Sequence, residues 1–240
     1  MKLLRISMEW DIIGRRKQKG AVMSYFPMFV DMEGRKCLIV GGGKVAWRKV
    51  KVLQEFGADL KVVAPEIIKD IFEMDEIKCC KRPFEEEDLK SVDFVVAATT
   101  DISLNHEISQ KCRSLKIPVN AVDQVADCDF IFPSYIKQGE VTGAFTSGGQ
   151  SPVITKYLKE QAKSYVTEYI GEMAQCLGDI RDEVKLRIKS EENRKKLYQK
   201  VLSQGLESGQ IPSPKELEKI IELYSQKSEE NEWIEQDDFG

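Results

Sequence analysis

The sequence predicts an α/β protein: a parallel, doubly wound sheet, then a short strand-rich segment, then a helical C-terminal region. Three observations carry this. Short apolar runs alternate with helix-length amphipathic stretches between residues 36 and 122. The first of those runs passes through Gly41-Gly42-Gly43 directly into a helical pattern. Beyond Ser151-Pro152 the pattern is helical almost to residue 226.

Taken in order, Lys36-Cys-Leu-Ile-Val40 reads as a first strand, and Val45, Ala46, Val50, Leu53 and Phe56 fall on one face of the helix after it. Gly57 stops that helix. Leu60-Lys-Val-Val-Ala64 is a second strand ended by Pro65, residues 77–80 are a third, and Asp93-Phe-Val-Val-Ala-Ala98 is a fourth. Residues 102–115 make a helix, and Ile117-Pro-Val-Asn-Ala-Val122 is a fifth strand. Phe130-Ile-Phe132, residues 135–137 and residues 141–146 read as short strands, with turn residues at Pro133 and Gly139. The helical region after Pro152 is expected to break near residues 205–214.

These readings divide the chain into an N-terminal extension (1–23), a nucleotide-binding domain (24–123), a strand-rich segment (124–150), a helical domain (151–226) and an acidic tail (227–240). The extension carries six basic residues against two acidic ones and has no signal-peptide core, and Met23 opens the stretch that leads into regular structure. The last 13 residues hold six acids and no base, and are expected to form a solvated, disordered tail.

Composition excludes several function classes. Forty-two per cent hydrophobic and 32% charged residues describe a globular chain. No apolar run approaches the ~18–20 residues of a membrane helix, so no membrane partner is expected. With 36 basic and 40 acidic residues the net charge is −4, which argues against nucleic acid as a partner. The six cysteines form no C-x-x-C pair, which points to a reducing, cytoplasmic setting and away from a zinc site or disulfide scaffold. A single histidine, His106, excludes any mechanism that needs two imidazoles.

Gly41-Gly42-Gly43-Lys44-Val45-Ala46 fits G-x-G-x-x-A in the strand-to-helix context of a Rossmann-type, dinucleotide-binding fold. Gly41 permits the tight turn, Gly43 lets backbone N–H groups approach a pyrophosphate, and Ala46 keeps helix and strand close. A tight turn with no ligand is the plainer alternative. An acid at the end of the second strand holds ribose hydroxyls in such folds; here Ala64-Pro65-Glu66 occupies that place, so Glu66 falls one or two positions late. No arginine follows at once to meet a 2′-phosphate, although Lys69 is near, which favours NAD over NADP. The other strand ends offer Thr99, Thr100 and Asp101, then Asn120 and Asp123. Thr100 or Asp101 equally suits a helix cap. Ser147, Gly148, Gly149 and Ser151 form a loop-to-helix junction, which reads either as plain helix initiation or as a substrate or anion site at a helix N-terminus.

Together these motifs resemble the siroheme synthase N-terminal family of precorrin-2 dehydrogenases and sirohydrochlorin ferrochelatases. The resemblance runs from Tyr25-Phe-Pro-Met-Phe-Val-Asp-Met-Glu-Gly-Arg-Lys through Gly41-Gly-Gly-Lys-Val-Ala-Trp-Arg-Lys49, Phe56-Gly-Ala58 and Val63-Ala-Pro65. It continues through Ala97-Ala-Thr-Thr-Asp101, Val119-Asn-Ala-Val-Asp123, Phe130-Ile-Phe-Pro-Ser134 and Thr146-Ser-Gly-Gly-Gln-Ser-Pro152, and spans about residues 24–200. It implies a Rossmann domain, a strand-rich dimerisation segment and a helical C-terminal domain, assembled as a homodimer. The implied reaction is NAD-dependent dehydrogenation of precorrin-2 to sirohydrochlorin; some members also insert ferrous iron to give siroheme. The family's contacts to NAD fall on Lys44, Val45, Pro65 and Glu66, and its catalytic aspartate falls on Asp123. No stored metal is implied. Where some members carry a phosphorylated serine, this chain has the turn Lys137-Gln138-Gly139.

Precorrin-2 carries eight carboxylates, so cations and helix N-termini should line its cleft. Seven basic residues against two acids lie between Lys185 and Lys200, a stretch that also reads as a solvated helical face. The competing reading from another class is a non-catalytic NAD-sensing Rossmann regulatory module. Such a module needs neither an acid facing the nicotinamide nor an anion-binding cleft.

Overall fold

All five apolar runs between residues 36 and 122 become strands of one parallel sheet. A computed structural model describes the backbone of residues 25–237 and the side chains of residues 25–226; the N-terminal extension expected at 1–23 lies outside the described residues. The strands are β1 (Lys36–Val40), β2 (Asp59–Ala64), β3 (Lys78–Lys81), β4 (Phe94–Ala97) and β5 (Val119–Ala121), in the order β3-β2-β1-β4-β5. Cys37 of β1 pairs with Leu60 on one side and Phe94 on the other, so β1 is central and every pairing is parallel.

A strand covered on both faces must be apolar at consecutive positions, and β1 shows why. Cys37 and Ile39 pack with Leu60, Val62 and Val96 beneath α1 (Lys44–Glu55), which contributes Ala46, Val50 and Leu53, and beneath α2 (Lys69–Phe72), which contributes Ile71. Leu38 and Val40 pack with Val63, Val95 and Ala97 on the opposite face, against Ile108 and Cys112 of α3 (Ile102–Leu115). Each fully buried aliphatic side chain contributes ~1.5–3 kcal/mol of hydrophobic stabilisation. Burial also pushes the thiols of Cys37 and Cys112 up to about 12, and all six cysteines are free thiols. Gly57 ends α1 as expected, its N–H donating to the Gln54 carbonyl.

The chain divides into two compact units, one ending at Phe132 and one beginning at Pro133. In the second unit β6 (Ser134–Gln138) and β7 (Val141–Phe145) form an antiparallel hairpin. Five helices follow: α4 (Pro152–Ala162), α5 (Glu168–Asp179), α6 (Arg181–Arg187), α7 (Glu191–Ser208) and α8 (Pro214–Asp237). Met173, Val184, Ile188, Leu197, Val201 and Ile221 build their core. No described helix is long and apolar enough to cross a membrane.

Two sequence expectations are corrected. Phe130-Ile-Phe132 is irregular backbone, not a strand. Its rings pack inward: Phe130 stands edge-on to Phe94 at 5.7 Å and lies 5.7 Å from Phe132, while the Phe130 carbonyl accepts from the Asn120 side chain instead of a strand neighbour. Within the acidic tail, residues 227–237 are helical, because α8 continues to Asp237. From Lys215 to Asp237 the chain holds no glycine or proline, and its glutamates, lysines and glutamines are good helix formers. The helical region also breaks at residues 163–167 and 188–190, besides the break at 209–213 that covers part of the expected interval.

Candidate active site

The crevice of a doubly wound sheet opens at the carboxyl ends of its strands, where the connections from adjacent strands leave in opposite directions. Here that point lies between β1, which leads to α1, and β4, which leads to α3.

The glycine loop is held by its backbone. The Gly41 N–H donates to Val63, the Gly42 carbonyl accepts from Ile68, and the Ala98 N–H donates to Val40. Gly41 has φ +121°, and a Cβ there would lie 2.3 Å from the Ala98 carbonyl oxygen. A Cβ at Gly42 would lie 2.1 Å from the Glu66 carbonyl oxygen. Gly42 was a free position in the motif, so sequence reasoning missed its steric necessity; the signal available was the third consecutive glycine. Gly43 differs from both: a Cβ there would meet nothing within 4 Å. Gly43 is the N-cap of α1 and offers no side-chain cap, and Lys44 and Val45 in the first turn are exposed. The first-turn amides therefore open onto free space at the positive end of the helix dipole, the arrangement that receives a pyrophosphate. Ala46 is fully buried against the sheet, as its place in the motif requires.

Pro65 and Glu66 are exposed at the end of β2, in the loop that touches Gly42. On the β4 side, Thr99 is tied to Asn105: the hydroxyl donates to Asn105 Oδ1 at 2.8 Å, and Asn105 Nδ2 donates to the Thr99 carbonyl at 3.1 Å. Asp101 caps α3, accepting from the N–H groups of Ser103 and Leu104. Thr100 is exposed at the crevice edge. Asn120 is buried within β5 and its amide donates to Phe130 at 2.9 Å, so it anchors that segment. The helix-cap reading thus describes the Asp101 side chain well, and the Asn120 amide is spent on Phe130.

Asp123 is different. It has φ +61° and is exposed just past β5, where the Val122 N–H extends the sheet ladder to Ala97. Aspartate is among the few residues that tolerate this region. Among the described residues its carboxylate accepts no hydrogen bond, so it does not cap the turn that follows. Beneath that turn the buried Cys128 thiol donates to the carbonyls of Ala121 and Gln124. His106 is engaged with Asp127, Nδ1 to Oδ2 at 2.8 Å.

Lys49 is a second residue that sequence reasoning did not single out. It lies half-buried on α1, with its ammonium 3.7 Å from the Phe132 ring centroid. Burial lowers it to about 8, and Cys128 and then Asp123 act on it in the opposite direction.

Residues 28–134 match a family model described as "Putative NAD(P)-binding". The siroheme synthase of Nitrosospira multiformis is 37% identical over 187 residues, covering 75% of this chain and 40% of that protein. That of Photorhabdus laumondii is 35% identical over 208 residues, covering 83% and 44%. Among solved structures, SirC, a precorrin-2 dehydrogenase, superposes with a TM-score of 0.69 at 26% identity, over 84% of this chain and all of that one. The chain belongs to the siroheme synthase N-terminal family. It spans about two fifths of the length of the siroheme synthases it matches.

The second unit carries the remaining candidate residues. There the Ser147 hydroxyl accepts from the Ser151 N–H, Ser151 caps α4 through the Ile154 N–H, and Gly148 and Gly149 have φ +62° and +84°. This is a well-formed helix start with Pro152 in the first turn. Of the basic stretch, Arg187 pairs with Glu183 and Glu218, Lys196 pairs with Glu192, and Arg194 donates to the carbonyls of Ile188 and Lys189. Structural partners therefore occupy part of that stretch.

Proposed function

We propose that this chain catalyses the NAD-dependent dehydrogenation of precorrin-2 to sirohydrochlorin. Asp123 carries the reading: an exposed carboxylate at the carboxyl end of β5, accepting no hydrogen bond among the described residues and held in a strained turn. Uncommitted, strained groups of this kind accumulate where chemistry is done. A module that only senses NAD needs no such acid. The likeness to SirC over 84% of this chain and the siroheme synthase relatives support the same reading.

The amides of Gly43, Lys44, Val45 and Ala46 would hold the pyrophosphate, with Gly41 setting the turn. Pro65 and Glu66 would border the ribose, and Thr99, Thr100, Asp101 and Asn120 would shape the far wall. When bound, NAD⁺ supplies the hydride acceptor. Asp123 supplies negative charge where the substrate loses its proton. The Ser147-Gly148-Gly149 loop and Ser151, at the α4 N-terminus, would meet a substrate carboxylate.

Anaerobic incubation of precorrin-2 with NAD⁺ and the protein should raise absorbance at 340 nm together with the sirohydrochlorin spectrum. NAD⁺ binding without either change would favour the sensing module. The siroheme synthase relatives also support ferrous iron as a second substrate, assayed by adding Fe²⁺ to sirohydrochlorin against a control without enzyme.

A homodimer formed through the second unit is part of this proposal. α4 buries none of its residues, and Val153, Ile154, Tyr157 and Leu158 are exposed on it. A two-stranded hairpin is too small to cover such a face alone. Sedimentation at micromolar concentration should give a dimer, and a monomer would overturn this part. Six free thiols support a reducing, cytoplasmic setting.

A further inference from the structure

The chain's single histidine takes no part in the proposed chemistry, yet it is tied to the loop that carries Asp123. That loop, residues 123–129, leaves β5 and lies against α3, with Val125–Asp127 forming one 3₁₀ turn. Side chains and backbone of α3 hold it in place. The Ser109 hydroxyl donates to the Asp127 carbonyl and Arg113 Nη2 to the Ala126 carbonyl, each at 2.8 Å. The Gln124 amide donates to the Ile102 carbonyl at 3.0 Å, and His106 Nδ1 meets Asp127 Oδ2 at 2.8 Å. Asp127 joins these ties to the site. Its N–H donates to the Gln124 carbonyl at 2.8 Å, and Gln124 directly follows Asp123. One backbone hydrogen bond thus separates the acid that faces His106 from the turn at φ +61°.

Resting on the dehydrogenase reading, we infer that His106 and Asp127 are positioning residues for Asp123: the imidazole, on taking a proton from water, tightens the loop that sets the carboxylate at the crevice. The other ties have fixed charge, whereas an imidazole gains or loses its charge between about pH 5 and 8. The His106 side chain is 53% exposed and that of Asp127 12%, so water reaches the ring but screens the acid little. Asp127 is the charge that answers the ring. β4 and β5, beneath α3, hold no titratable residue. Across from the ring, Arg113 lies 3.6 Å from Asp127 and 3.7 Å from Asp129. On α3 itself Glu107 lies 3.4 Å from Lys111, and the second ring nitrogen, Nε2, lies 3.5 Å from the uncharged Gln110 amide. A neutral ring keeps an ordinary hydrogen bond to Asp127; a protonated ring makes a charge-assisted one, roughly twice as strong. The loop is therefore held hardest on the acid side of the imidazole titration and loosens as pH rises through it. A displacement of about 1 Å in a reacting group can cost ~10²-fold in rate, so a grip four residues along the loop matters to the acid at its start.

Two readouts test the clasp, and the first needs no substrate. In protein labelled with ¹⁵N and with ¹³C-histidine, the one imidazole signal belongs to His106. The amide resonances of Asp123 and Gln124 should move with the same midpoint as that signal, and should stay flat between about pH 5 and 8 in His106→Gln. Amides that stay flat in the wild type while the imidazole titrates would overturn the inference. The second readout is anaerobic turnover of precorrin-2 with NAD⁺. The ratio of wild-type to His106→Gln kcat should be roughly three- to tenfold on the acid side and fall toward one above the imidazole midpoint, with NAD⁺ affinity by calorimetry unchanged. Asp127→Asn, which removes the charge and keeps an amide in its place, should lose the same pH dependence. Should that buried variant fail to fold, His106→Gln, at a half-exposed position, carries the test alone. A ratio independent of pH, or within twofold of one throughout, would leave the pair only a support of the fold and overturn the positioning role. Wild-type protein that binds NAD⁺ yet turns over no precorrin-2 would overturn the dehydrogenase reading, while the amide titration still decides whether His106 reaches Asp123.

Discussion

Gly42→Ala is the sharpest test of how the dinucleotide loop is built. The added Cβ would lie 2.1 Å from the Glu66 carbonyl oxygen and 2.7 Å from the Ile67 Cα, and both obstacles are backbone. A non-bonded Cβ needs at least 3.0 Å, so the loop after β2 must retreat by about 0.9 Å. That loop is pinned to the same residue by the Ile68 N–H to the Gly42 carbonyl, so retreat also strains a hydrogen bond. Overpacking of this kind costs ~1–3 kcal/mol, which lowers the melting temperature of a chain this size by ~2–4 °C per kcal/mol. Moving Glu66 away from a ribose hydroxyl forfeits a charged hydrogen bond worth ~1.5–3 kcal/mol, roughly ten- to a hundredfold in Kd. Gly43→Ala is the control: φ is −92° and nothing lies within 4 Å, so stability should stay within ~0.5 kcal/mol while NAD⁺ binding weakens. Differential scanning calorimetry and titration calorimetry on both variants give the answer. A Gly42→Ala protein with wild-type melting temperature and wild-type Kd would refute the close approach of the two loops.

Gly43→Asp should fold and lose NAD⁺ binding, because a side chain and a negative charge both enter the pyrophosphate space; calorimetry showing unchanged affinity would remove the dinucleotide assignment. Asp123→Asn keeps a residue tolerant of φ +61°, so it should fold and bind NAD⁺ normally while losing ~10²–10⁴-fold in dehydrogenase turnover. Retention of turnover within about threefold would move the acid–base chemistry elsewhere. Buried Asp88, gripped by Arg82 and Lys61, is held well below the usual carboxylate range, so it stabilises the fold at neutral pH and loses that contribution as pH falls below its unfolded value of about 4. Urea midpoints of wild type and Asp88→Asn should therefore differ at pH 7 and converge toward pH 3; a gap that does not shrink would mean that the pairing is energetically silent.

The sheet was legible because its physics is local. A buried parallel strand needs consecutive apolar residues, and a helix after it needs a start and a stop; residues 36–57 supply all of these in order. The helix at 102–115 was legible to the residue, because Asp101 caps it and Lys116 closes it in a left-handed conformation. Phe130-Ile-Phe132 misled because an apolar run says that residues are buried, not which backbone partner they take. Its aromatic anchoring depends on Phe94 and Asn120, which only the folded chain brings near. The acidic end misled in the other direction, since charge argued for solvent while helix propensity argued for structure. At the site, the glycine loop and Asp123 were visible as motif and strand end. Lys49 was not, because a lysine becomes unusual only through the distant residues that bury it.

The alternation along β1 has a consequence for how the chain keeps its place. Cys37 and Ile39 fill one face and Leu38 and Val40 the other, so both faces are oily and neither marks itself with a polar side chain. A slip of one residue exchanges the faces, yet it exposes nothing that water would object to, and hydrophobic patterning alone guards such a strand weakly. The guard stands at the strand's end. Only a residue without a side chain passes the Ala98 carbonyl, so a slip that moves Val40 into the place of Gly41 is blocked. The loop that meets the nucleotide therefore also acts as the ruler for the whole sheet, and a one-residue insertion in β1 would miscount the fold and destroy the binding loop in a single event.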